Sequence, residues 1–457
     1  MTPPISRRLR LRLSVMWLLE WGITGALLTY LPLYFTQNGL GLHETGPVLA
    51  IGAVGLWMSP LVVGQLCDRW IAAQRYMAIA HFLGGLVLLL IPVATDIFRI
   101  SRSESAYWFI LALFGLFAML YLPTIPLASA LTFRHLSDPK TQFGKVRIWG
   151  TVGWVLAGIG LSAWLEQRDV AAWLRSTFPS TAPTVLEVSK RFWFLPEPSS
   201  SDCFGIAAIL SFGLSSFCAF LPNTPPLHSP RDGIGLVDWA VAMWNQKGFV
   251  RLVVVASLLA LVIPLYSLVV PKLLEERLVR GDSVPALMTI GQLSEFPALI
   301  FMPWCLTRLG LKSTFALGVV AWIARYAIFA MDAPTWLVLA GIALHGVCHV
   351  YLIIVVQLYV DATCPRDLRA TAQNVFAFVA GGVAMPLGLL LTQPLIKWCT
   401  DPESGLMDFG PIFAAPTLFL ACVLLGFWKW FHVDDEPTEA ASVVSRSTPT
   451  SESPHSP

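Results

Sequence analysis

Charged residues are scarce: Asp, Glu, Lys and Arg make up 13% of the 457 residues, where a soluble chain carries about a quarter. That deficit excludes an ordinary soluble enzyme and a disordered chain. Net charge is small as well, +2 from 30 basic and 28 acidic residues, so no basic surplus points to nucleic acid. The eight cysteines form no CxxC pair and mostly sit in apolar runs. They read as small buried hydrophobes, not as a disulfide framework or a zinc site. No GxxxxGK[ST] loop is present, which removes an ATP-driven pump. Nucleophile motifs, metal-ligand sets and cofactor fingerprints are also missing, so neither enzymatic activity nor a cofactor or metal is expected. Arg7, Arg8, Arg10 and Arg12 precede the first apolar run, but no small-residue cleavage site follows it. It reads as an uncleaved first helix.

What the chain has in abundance is apolar length. Hydrophobic residues reach 56% and mean hydropathy is +0.67, so the main solvent is the lipid bilayer. Stretches of membrane-crossing length recur at roughly 13–36, 46–67, 75–96, 106–132, 146–165, 203–222, 249–271, 284–306, 312–331, 335–360, 368–396 and 410–432. The expected fold is therefore all-α and polytopic, with twelve transmembrane helices in two bundles of six. Residues 1–222 form the N-terminal bundle, 223–248 a cytoplasmic linker, 249–432 the C-terminal bundle, and 433–457 a disordered cytoplasmic tail rich in Ser, Thr, Pro and Glu. The segment 166–202 reads as an external loop with some helix. With the N-terminus inside, the cytoplasmic segments carry nineteen Lys and Arg, the outer segments ten, and Arg325 lies within a span. This bias places both termini in the cytoplasm. Six plus six spans around a linker is the build of a large class of secondary transporters, driven by a gradient.

Several groups stand out against this apolar background. The turn after the second span reads Gly64-Gln-Leu-Cys-Asp68-Arg69. A glycine admits close helix contact, and an acid beside a base at the membrane face suits a gating ion pair that breaks as the halves move. The fifth span opens with Lys145-Val-Arg147-Ile-Trp149-Gly150-Thr151-Val-Gly153-Trp154, a small-residue face carrying a charge that must be paired or face a cavity. Span eight holds Gly291-Gln292-Leu-Ser-Glu295, with Gln292 and Glu295 on one helix face. Glu20 and Glu295 lie deepest in the spans. A carboxyl there must face a cavity, be paired or stay protonated, which makes both candidate proton carriers. His345 and His349 stand at i and i+4, a spacing that can hold zinc, but no third ligand is evident from the sequence. They read as cavity-lining or structural groups, His349 with a possible share in proton transfer. Mid-span prolines, among them Pro32, Pro123, Pro126, Pro264, Pro297 and Pro386, mark expected kinks.

Taken together, RIWGT at 147–151, the Q-x-x-E of span eight, Ala321-Trp322-Ile-Ala-Arg325 in span nine, Leu368-Arg369-Ala-Thr-Ala-Gln373 opening span eleven and Tyr121-Leu-Pro-Thr124 in span four resemble the nucleoside:proton symporter family of the major facilitator superfamily. The motifs occur in family order across most of the chain. The resemblance implies nucleoside import, with proton symport by alternating access, across a plasma (cell inner) membrane. It implies substrate contacts from Arg147, Thr151, Gln292 and Glu295, with Tyr266 of span seven and His349 of span ten at neighbouring positions. Proton coupling falls to Glu295 and Glu20, and gating to Gly64, Asp68 and Arg69. The expected partners are a nucleoside or similar small polar solute, protons and the lipid bilayer, with no nucleic acid. The chain departs from the family in span ten, where Val350 stands at the usual acid position, and in span seven, where Tyr266 and Ser267 replace an Asn and a Gln. Those departures keep open a transporter of another small polar solute. A non-transporting sensor on the same body is a third reading.

Overall fold

The computed structural model describes residues 6–58, 62–167, 198–226, 247–277, 280–363 and 375–430, with a few isolated positions between 173 and 183. Helix dominates, and among the described residues the only β-type pairing is an isolated bridge between Thr400 and Met407. Among the described residues ten stretches are long and apolar enough to cross a membrane, from Arg7–Gln37 to Phe409–Trp430. One of them, Gly281–Ala330, covers two of the spans expected from the sequence. Gly310 breaks it with φ 74°, a left-handed turn that glycine adopts without penalty. The expected second span is present as shorter helices, Leu42–Ile51, Ala53–Met58 and Gly64–Arg69. The chain is a multi-pass, all-α membrane protein.

Local sequence explains where the helices start and bend. The Ser6 hydroxyl accepts the Leu9 N–H at 3.3 Å and caps the first helix, Arg7–Leu28. Ser103 does the same for Glu104–Tyr121. The Glu44 carboxylate accepts the Gly41 N–H at 2.7 Å at the start of Leu42–Ile51. Four of the six expected kink prolines coincide with breaks: Pro32 begins Leu31–Gln37, Pro123 separates Glu104–Tyr121 from Thr124–His135, Pro264 begins Ile263–Arg277, and Pro386 begins Met385–Trp398, while Pro126 and Pro297 stand in the first turns of Thr124–His135 and Glu295–Ala330. Each of the four removes a backbone donor where the helix would otherwise continue. Two π-helical segments, Val350–Ile354 and Phe378–Ala384, interrupt the later spans.

The residues fall into two compact units. The first comprises 1–230, 263–290 and 385–407. In it the first helix packs along Pro139–Leu165 and Asp202–Phe217, and Ala73–Ser101 packs on Glu104–Tyr121. The second comprises 231–262, 291–384 and 408–457. There Glu295–Ala330 packs against Phe409–Trp430, His345–His349 and the π-helix Val350–Ile354. Most of the linker, the motif 368–373, the tail and much of 166–202 lie outside the described residues.

Candidate functional site

In the first unit, the first helix and Pro139–Leu165 approach with almost no side chain between them. A Cβ on Gly25 would stand 2.5 Å from the Trp154 carbonyl oxygen, and one on Gly153 would stand 2.8 Å from the Leu18 carbonyl carbon. That crossing sets Trp17 and Trp21 against Arg147. The guanidinium lies 4.8 Å from the Trp17 ring and 4.4 Å from the Trp21 ring, each contact worth about 0.5–2 kcal/mol. Trp154 continues the aromatic wall, its ring 6.0 Å from that of Trp21. The indole N–H of Trp17 donates to Thr132 at 3.0 Å, whereas those of Trp21 and Trp154 are buried and reach no acceptor. Thr151 follows one turn after Arg147 and is half-buried. Arg147 is thus oriented by two indoles beside two unused donors. In span one the resemblance sets Trp21-Gly22 at the family's Trp-Gly pair and Trp17 where the family has a Gln, but neither Trp was expected to hold Arg147; their helical spacing of four was the signal for it.

Glu20 lies behind this wall, 0% exposed. Its Oε2 is 3.0 Å from His81 Nε2, and its Oε1 is 2.5 Å from the Thr124 hydroxyl. Ser211 donates to the His81 carbonyl at 2.8 Å, and the Tyr121 hydroxyl donates to the Glu20 carbonyl at 2.6 Å. Glu20 is therefore paired, with a histidine and a threonine of other helices. The sequence held one signal for it, a lone histidine in the apolar run Ile79-Ala-His81-Phe-Leu-Gly84. Tyr266 is buried in Ile263–Arg277 and belongs to the first unit. Gly64 and Arg69 lie on the short helix Gly64–Arg69, Arg69 exposed, and the side chain of Asp68 is outside the described residues.

The second unit gathers the remaining groups. The helix from Val284 ends at Leu293, and the next begins at Glu295. Into this break comes His345–His349: the Gly346 N–H donates to Ser294 Oγ at 2.8 Å, and a Cβ on Gly346 would collide with the Ser294 backbone. The close approach sets His345 Nε2 3.7 Å from Glu295 Oε1. His349 stacks on His345, ring centroids 5.4 Å apart. Ligand atoms of Glu295, His345 and His349 lie within 4.8 Å of one another, so a third group does stand beside the histidine pair, contrary to the sequence reading. It comes from another helix, which spacing along the chain does not reveal. Arg325, 0% exposed, donates from Nη1 to His345 Nδ1 at 3.1 Å and lies over the rings of Trp322 and Phe329. Gln292 Oε1 is buried and accepts no hydrogen bond. An orphaned buried acceptor beside a carboxylate suits a ligand that brings hydrogen-bond donors such as hydroxyls. The π-helix beginning at Val350 follows His349 directly, a distortion that often marks functional sites.

The chain matches the family described as nucleoside H+ symporter over residues 7–179 and 194–435. YegT of Escherichia coli strain K12, provisionally named a nucleoside transporter, is 26% identical over 95% of this chain and 96% of its own length. The nucleoside permease NupG of the same strain is 24% identical over 93% and 97%, and its xanthosine permease 24% over 92% and 96%. Among solved structures, the nucleoside transporter NupG aligns with a TM-score of 0.74 at 21% identity, covering 93% of this chain and 99% of that one. The fold is that of the major facilitator transporters. The chain belongs to the nucleoside H+ symporter family, a family of transporters and not of enzymes.

Proposed function

We propose that this member of the family imports nucleosides with proton symport, by alternating access, across the plasma membrane with both termini in the cytoplasm. The observation that carries the reading is a set of buried polar atoms without protein partners beside charged and aromatic groups. In the first unit these are the indole N–H groups of Trp21 and Trp154 next to Arg147. In the second it is Gln292 Oε1 near Glu295. A nucleoside answers both kinds: its base offers a flat π-face and edge acceptors, and its ribose offers hydroxyl donors. Arg147, Thr151, Gln292, Glu295, Tyr266 and His349 are the substrate contacts of this reading.

Of the two candidate acids, the reading gives the coupled proton to Glu295, which keeps 20% side-chain exposure, and gives Glu20 the task of anchoring the first helix. Gly64, Asp68 and Arg69 act on the conformational cycle, and the six-plus-six division at 223–248 supplies the halves that move. Uptake of a labelled nucleoside panel by proteoliposomes, with and without an inward proton gradient, tests the proposal. Accumulation of at least one nucleoside should require the gradient. Glu295→Gln should abolish accumulation while leaving nucleoside exchange. Transport of no nucleoside by the intact chain, or unchanged accumulation by the Gln variant, refutes the corresponding half.

A further inference from the structure

The geometry points to His345 as the proton-bearing neighbour that Glu295 answers to, with Arg325 as the positioning residue that fixes which nitrogen carries the proton. The inference rests on the coupling role proposed for Glu295 and adds how its protonation is converted into movement. A guanidinium has donors and no acceptor. The 3.1 Å contact from Arg325 Nη1 therefore requires His345 Nδ1 to be unprotonated. The single proton of the neutral ring then sits on Nε2, the nitrogen 3.7 Å from Glu295 Oε1. With Glu295 ionised, an N–H faces a carboxylate oxygen.

An arriving proton has two places to go at this contact. His345 Nδ1 is blocked, because a proton there would point at the Arg325 donor and set cation against cation. The proton goes to the Glu295 carboxylate. If it settles on Oε1, two hydrogens face each other across the same gap, and the pair must part or the carboxyl must turn. Loading Glu295 on that oxygen, with the carboxyl held in place, loosens the contact between the helix Glu295–Ala330 and His345–His349, at the point where Gly346 and Ser294 hold them closest. Release of the proton restores it.

The other ionisable groups of this neighbourhood do not replace His345. His349 stacks flat on it, and Cys348 lies within electrostatic reach of Arg325. The Tyr351 hydroxyl and Cys305 thiol bond each other at 3.4 Å. Arg251 and Lys312 lie over Trp430 and Trp428. The same tautomer separates this cluster from a metal centre. A ring whose Nε2 carries a proton and whose Nδ1 accepts from a guanidinium presents no lone pair toward Glu295.

The test uses the full chain. ¹⁵N NMR of histidine-labelled protein in micelles, with His345 assigned by difference from His345→Gln, should show the Nε2–H tautomer at neutral pH. Arg325→Met should release that preference. An Nδ1–H tautomer or an imidazolium in the wild type overturns the proposal, and this readout does not depend on transport. In proteoliposomes, His345→Gln, which keeps an N–H donor, and His345→Leu, which does not, are compared by the midpoint of pH-dependent uptake and not by rate. The Leu variant should move the midpoint upward, since the ionised carboxylate loses the N–H that faces it at 3.7 Å, while the Gln variant stays near wild type. Coincident midpoints for the two would mean that His345 only fills space. Saturable binding of zinc chloride by the wild type, lost in His345→Gln, would show a free Nε2 lone pair and overturn the assignment.

Discussion

Gly153→Ala tests the link between helix packing and the Arg147 site most directly. A Cβ there would stand 2.8 Å from the Leu18 carbonyl carbon and 2.9 Å from its Cα, and closer still to its oxygen. All three neighbours belong to main chain, so no flexible side chain can yield. Restoring an ordinary contact of at least 3.4 Å forces the first helix away from Pro139–Leu165. Overpacking of this kind costs about 1–3 kcal/mol, which at about 2.1 cal/mol/K per residue over a chain of this size corresponds to roughly 1–3 °C in melting temperature. The displacement also moves Trp21 away from Arg147, nearly two turns earlier on the partner helix, and weakens cation–π contacts of about 0.5–2 kcal/mol each. Substrate affinity should fall together with thermal stability.

Two neighbouring glycines provide the controls. A Cβ on Gly160 would meet nothing within 4 Å, so Gly160→Ala should leave both readouts alone. A Cβ on Gly150 would meet the Arg147 guanidinium and the Trp21 ring, which are side chains. Gly150→Ala should therefore disturb substrate affinity more than stability. The assay is thermal unfolding in detergent alongside the KM of nucleoside uptake for all three variants. Wild-type behaviour of Gly153→Ala in both would refute the argument that this crossing positions the site.

Other consequences are equally open to measurement. Glu20→Ala leaves His81 Nε2 without its partner in the core and should cost about 1–3 kcal/mol, seen as a lowered melting temperature, whereas Glu20→Gln keeps hydrogen-bonding capacity and should lose far less. Asp68→Asn should slow transport while leaving nucleoside binding to purified protein near wild type; loss of binding at normal expression would move this loop into the substrate site. Reporter fusions after residue 240 and at the C-terminus should both score as cytoplasmic, and an external signal at either would reject the proposed topology.

How much of this was legible in the sequence depends on the range of the interaction. Local signals were readable: span length, the prolines at helix breaks, and the Gln292–Glu295 spacing across a single turn. Gly153 announced close packing but not its partner, because nothing in GTVGW specifies the Leu18 backbone. Contacts between distant segments were the ones that escaped. His81 meets Glu20 across 61 positions, and Arg325 meets His345 across 20. A buried acid predicts that some partner exists, yet hydrophobic periodicity does not say which helix brings it. The second expected span was harder for another reason. Its stretch contains Gly46, Pro47, Gly52, Gly55, Pro60 and Gly64, which weaken continuous helix, and the helix Leu42–Ile51 stops at Gly52.

The two buried acids differ in what a proton does to their surroundings, and this separates the task proposed for each. Thr124 Oγ lies 2.5 Å from Glu20 Oε1 and 2.5 Å from the Tyr121 carbonyl oxygen, and it owns one proton. If Glu20 is ionised, Thr124 donates to it. If Glu20 is protonated, its O–H donates to Thr124, which donates in turn to the Tyr121 carbonyl, and His81 still serves the other oxygen. Rotation of one hydroxyl accommodates both states, so no helix need move. At Glu295 the neighbour is an N–H whose direction Arg325 fixes from behind. No hydroxyl lies between them to turn around. A proton on that oxygen leaves donor facing donor, a conflict relieved by parting the pair or by turning the carboxyl. A transporter that converts a proton gradient into motion needs a carboxyl of the second kind. On that argument the proposed function gives the coupled proton to Glu295 and not to the more deeply buried Glu20.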